Sequence, residues 1–149
     1  GLITPLRLHN YTRASDRSPI INNQNFNVVS LQYGDVSQDL DTLDELTRSN
    51  LKISKVDLKN DFESLGALIN SCDVIVGPMT APIVQAIAQG KKVLTYGLRG
   101  KDRWGFGLGL KSKKYESLWY PNQTRFMFNH HELPTLINQI SDHIESDFL

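Results

Sequence analysis

"DVIVGPMTAPIVQAIAQGKKVLTYG", Asp73 to Gly97, holds two apolar runs separated by one helical pattern. Val74-Ile75-Val76 is too short and too apolar for a surface strand and reads as a strand buried on both faces. Thr80 to Gln89 reads as a helix. Pro82 falls in its first turn, where a missing N–H does no harm, and Gly90 stands where helices commonly stop. Lys92 to Gly97 supplies the next strand. Strand, helix, strand over this length predicts a parallel β-α-β unit, and therefore the α/β class.

The flanking sequence repeats the alternation. Phe26 to Leu31 (FNVVSL) reads as a strand ended by Gly34. Ser37 to Arg48 carries Leu40, Leu43 and Leu46 at helical spacing, and Leu51 to Val56 (LKISKV) is a short strand. Asn60-Asp61-Phe62-Glu63 resembles a capping box, after which Phe62, Leu65, Leu68, Ile69 and Cys72 share one helical face. Arg125 to Phe128 is a last strand. Leu133, Leu136, Ile137, Ile140, Ile144 and Phe148 form the apolar stripe of a closing helix. The expected architecture is a parallel sheet of about five strands with helices on both faces, spanning residues 26–149. Residues 1–25, with Pro5, Pro19 and an Asn-rich stretch from Ile20 to Asn25, read as a linker or a strap.

The 149 residues suit a single domain and carry 16 basic and 16 acidic side chains, a formal net charge of zero. No basic run is long enough to draw the chain to nucleic acid or anionic lipid. No apolar stretch approaches the ~20 residues of a membrane span. Cys72 is the only cysteine, so an internal disulfide is excluded and a reducing, cytoplasmic setting is expected; an apolar helical face makes it a core residue. His130 and His131 are adjacent and diverge, His9 and His143 are isolated, and no metal or other cofactor is expected. The first residue is Gly rather than Met, which reads as an excised piece of a longer protein.

In open α/β sheets ligands gather at the carboxyl ends of the strands. A helix starting there offers unpaired N–H groups and a positive dipole end. In the opening stretch Gly77 lets the backbone turn, Thr80 can cap the helix and offer a hydroxyl, and Ala81 is small enough to let a ligand approach. This is either a phosphate cradle or an ordinary capped helix, and spacing alone does not choose. After the next strand, Lys101, Arg103 and Trp104 offer cations for phosphate and a ring for stacking, or else a solvated turn with one anchoring Trp. Gly105, Gly107 and Gly109 lack the Lys-Ser/Thr of a phosphate loop and read as a hinge within a long loop.

Taken together, FNVVSLQYGD, DLKNDFESLGALINSCDVIVGPMTAPIVQAIAQGKKVL, DRWG and WYP resemble the C-terminal half of GT-B-type glycosyltransferases. They are most similar to the heptosyltransferase-like domains attached to tetratricopeptide repeats. The resemblance covers most of Phe26 to Phe128, as several short motifs in one order. It implies a Rossmann-like domain that binds a nucleotide-sugar donor, with the acceptor and catalytic base supplied by an N-terminal half; the piece alone is expected to be inactive. By that resemblance Gln32, Tyr33 and Gly34 face the donor phosphates, and Asp61 caps its helix. Thr80 and Ala81 match the Thr-Ser of the family's Asp-Thr-Ser-x-x-x-His pattern. Met79 and Val84 stand where many members carry Asp and His. That departure favours the alternative, a non-catalytic protein-interaction module with a decayed site.

Overall fold

The computed structural model describes residues 12–98, 114–116, 120 and 122–148. Lys101, Arg103 and Trp104, the Gly105–Gly109 segment, Trp119 and Pro121 lie outside the described residues. The chain divides into two compact units, one built on Gly66–Leu133 and the other on Thr12–Leu65 with Pro134–Leu149.

The first unit holds the opening stretch. β3 (Val74–Pro78), β4 (Lys92–Leu98), β5 (Lys114–Glu116) and β6 (Gln123–Phe128) form one sheet in the order β3-β4-β6-β5. β3, β4 and β6 run parallel, while β5 pairs antiparallel with β6. Between β3 and β4 lies α5 (Ala81–Ala88). The apolar run forms β3 because Ile75, Val93 and Leu94 are almost wholly buried. Pro78 closes β3 and pairs opposite Tyr96; β3 is an outer strand of this sheet, where a missing N–H is tolerated.

α5 buries Pro82, Ile83, Ala86 and Ile87. It stops at Gly90, whose φ of +76° favours glycine. Gly90 N–H donates to Ile87 C=O and Lys91 N–H to Ala86 C=O, the paired bonds of a Schellman motif.

The second unit contains a short α1 (Ser18–Ile21), β1 (Val29–Ser30), α2 (Ser37–Asp41), α3 (Glu45–Asn50) and β2 (Lys52–Ile53). It also contains most of the closing helix, α6 (Leu133–Phe148). α4 (Phe62–Ser71) runs from this unit into the first. β1 and β2 pair in parallel as a sheet of their own. The α/β class is as expected, but the strands form two sheets rather than one of about five. Only Val29-Ser30 and Lys52-Ile53 of the expected FNVVSL and LKISKV strands pair, and Lys52 and Ile53 are exposed.

Four further expectations change. The helix expected from Ser37 to Arg48 is two helices, because Asp44 caps the second: its carboxylate accepts Thr47 N–H at 2.9 Å and Thr47 Oγ1–H at 2.6 Å. Leu43 is buried at the break, but Leu46 is 61% exposed. The cap of α4 falls one residue later than the Asn60–Glu63 box, with Asp61 accepting Ser64 N–H at 2.9 Å. Cys72 is half-buried rather than core, with Sγ 3.4 Å from Leu68 C=O. The Asn-rich stretch is likewise no bare linker: Ile20 and Ile21 are buried, and Asn23 donates to Glu145 at 2.7 Å.

Candidate functional site

Because β3, β4 and β6 are parallel, their carboxyl ends share one edge of the sheet. At that edge β3 passes through Met79 and Thr80 into α5. Thr80 is the N-cap residue, extended at φ −133° and ψ 173°, and its C=O accepts Val84 N–H at 3.0 Å. Its side chain makes no capping hydrogen bond. The expected cap therefore exists as a backbone position only, and the hydroxyl is left for another partner. Pro82 has no N–H. The N–H groups of Ala81 and Ile83 have no hydrogen-bond partner among the described residues. Met79 and Thr80 are half-buried and Ala81 is exposed.

Gly77 does not turn the chain. It lies inside β3, opposite Thr95, and its φ is not in the left-handed region. A Cβ there would stand 3.4 Å from Ile83 Cδ1, an ordinary contact, so Gly77 faces the first turn of α5 without glycine being required. The same contact shows which face of the sheet α5 covers. Residues paired in parallel register point to one side, so Gly77, Thr95 and Arg125 form a row on that face.

That row holds residues the sequence alone did not single out. Thr95, Gln123 and Arg125 are all buried. Gln123 Nε2–H donates to Thr95 Oγ1 at 2.6 Å, while Gln123 Oε1 is buried without a partner. A Cβ on Gly97 would come within 3.2 Å of Arg125 Nη2, so the guanidinium extends past Thr95 toward the carboxyl edge. No alternation announced them, since Gln123, Thr124 and Arg125 are all polar, and only strand pairing shows which side faces inward.

Gln32, Tyr33 and Gly34 follow β1 in the other unit. Gln32 Nε2–H donates to Asp39 at 3.2 Å, Tyr33 is 49% exposed, and Gly34 turns at φ +91°. They form an exposed turn. Among the described residues no group of three His, Cys, Asp or Glu side chains is arranged to hold a metal, and no helix is long and apolar enough to cross a membrane. No family model, curated protein or solved structure matches the chain.

Proposed function

We propose that the chain is the donor-binding part of a cytoplasmic glycosyltransferase, holding the diphosphate of a nucleotide-sugar at the start of α5 while the sugar passes to an acceptor hydroxyl. The observation that carries this is the unsatisfied helix start. The N–H groups of Ala81 and Ile83 and the Thr80 hydroxyl lie together at the carboxyl edge of parallel strands. Such donors attract an anion, and they stabilise charge that develops on a leaving diphosphate without having to reorganise. In this proposal Met79, Lys101, Arg103 and Trp104 contribute further donor contacts. An N-terminal half brings the acceptor and the base.

Calorimetric titration with UDP, ADP and GDP tests it. A hydrogen bond to a charged partner is worth about 1.5–3 kcal/mol, so Thr80→Val should weaken binding by roughly ten- to a hundredfold. Because the Thr80 side chain caps nothing in the free protein, its loss should leave stability nearly unchanged. Ala81→Glu should do more harm, by placing charge and bulk where the phosphates lie. At an empty helix start the same acid would be stabilising by about 0.3–1 kcal/mol. Chelator should leave binding unaltered, since backbone donors stand in the place of a metal. If the unaltered chain binds one nucleotide and Ala81→Glu binds it equally well, the diphosphate is not held here.

A second proposal has its own observation. Met79 and Val84 present apolar groups where the resembled family carries Asp and His, and Val84 is 39% exposed. If none of the nucleotides binds, a non-catalytic interaction module takes the place of the enzyme part.

A further inference from the structure

The Asn-rich stretch after Ile21 has no part in the proposed donor site, yet it builds a cavity. A space of about 300 Å³ in the second unit is lined by Asn22, Gln24, Phe26, Asn27, Asn50 and Lys52, among others. No carboxylate lines it. The amides of Asn22, Asn27 and Asn50 are not free to turn, and their hydrogen bonds show which way each one faces.

Asp44 is a carboxylate whose pKa is held below the ordinary 3.8, first by the Thr47 hydroxyl and then by the Thr47 N–H. It can only accept, so Thr47 Oγ1–H donates to it at 2.6 Å. Thr47 is fully buried, and its oxygen must then accept from Asn22 Nδ2–H, at 2.8 Å. That fixes Asn22 Oδ1 as the acceptor for Asn50 Nδ2–H, at 3.1 Å. At the end of this chain, Asn50 Oδ1 has no partner among the described residues. A second anchor works in the opposite sense. The Lys52 ammonium can only donate, and it donates to Asn27 Oδ1 at 2.9 Å. Asn27 Nδ2 is thereby the free end, a donor without a partner among the described residues.

Asn27 and Asn50, which carry the two free ends, both line this one cavity. The cavity therefore presents one oriented acceptor, one oriented donor, the Gln24 amide, which has no partner among the described residues, and the half-buried ring of Phe26. Vicinal hydroxyls each donate and accept, and the C–H face of a pyranose is apolar. We propose that this cavity is a saccharide-binding site, in which adjacent sugar hydroxyls bridge Asn50 Oδ1 and Asn27 Nδ2 and the sugar face lies against Phe26. The site is independent of the diphosphate site and stands or falls separately.

The test is titration of the isotope-labelled full chain with methyl glucoside, methyl galactoside and N-acetylglucosamine, following side-chain amide resonances. At least one sugar should move the Asn27 and Asn50 amides together with the Phe26 region, with a millimolar dissociation constant. Asn27→Asp keeps the acceptor for Lys52 and the shape of the side chain but turns the free donor into an acceptor. It should weaken that sugar tenfold or more. The proposal is overturned if none of the three sugars moves these resonances. Equal binding by Asn27→Asp also overturns it, as does inorganic phosphate or N-methylacetamide moving the resonances while the sugars do not.

Discussion

Gly90 and Gly77 bracket the same helix, and only Gly90 is held to glycine by its backbone. Gly90 sits at φ +76°, where any Cβ is strained. Gly90→Ala should destabilise the chain by about 1 kcal/mol, read as a lower denaturation midpoint with an unchanged slope. It should leave nucleotide affinity alone, because it lies at the other end of α5. Gly90 was legible in the sequence because the rule for helix ends is local. Gly77 was misread as a turn because pairing with β4 carries β3 through to Pro78, and no local pattern announces how far a strand will pair. The Thr80 position was legible for the same local reason as Gly90. That its hydroxyl would make no capping bond was not, since this depends on how one side chain is turned, which no local pattern sets. The inward side of β6 was equally hidden. Arg125 reads as a surface charge until its register with Thr95 and Gly77 places it on the covered face.

At the scale of elements, sequence periodicity found the long helices and overestimated the short strands. α6 matches its apolar stripe from Leu136 to Ile144, because sixteen residues repeat the pattern several times. Ile140 is wholly buried, so Ile140→Ala should cost about 2–5 kcal/mol, measured by chemical denaturation. The Ser37–Arg48 segment shows the converse. Three leucines at helical spacing suggested one face, but Asp44 and Thr47 offer the backbone a better local partner and start a new helix. Leu46→Glu should then shift stability by no more than about 0.5 kcal/mol, as expected of an exposed position. A loss of several kcal/mol would restore the single amphipathic helix. The short strands were hardest to delimit, since β1 and β2 are only two residues each and owe their existence to each other.

At the scale of the whole molecule, equal numbers of acids and bases conceal an uneven distribution of electrostatic work. Asp35, Asp44, Asp57 and Asp61 all have pKa values below the ordinary 3.8. The main causes are hydrogen bonds from Ser37, Thr47, Asn60 and Ser64 respectively, which favour the charged carboxylate. All four lie in the unit containing Thr12–Leu65. A carboxylate with a lowered folded-state pKa contributes stability that is complete above its unfolded value. That contribution is lost as the pH falls through the folded one. Between neutrality and about pH 5 their contribution should therefore be full and independent of pH. Below 3.8 that contribution declines, and each turn loses its acceptor as the pH falls through the lowered pKa of its own carboxyl. The helix start of α3 and the amide chain from Thr47 through Asn22 to Asn50 depend on one of those acids. Acidification should thus open residues 12–65 before residues 66–98, whose order rests on the parallel ladder and its buried aliphatic residues. Hydrogen exchange measured stepwise from neutral pH to pH 2.5, with the intrinsic exchange rate divided out at each step, reads this directly. Protection should fall first around Asp44 and Asp61. Loss of protection in β3 and β4 at the same or a higher pH would show that the aspartate caps do not set the acid limit of the fold.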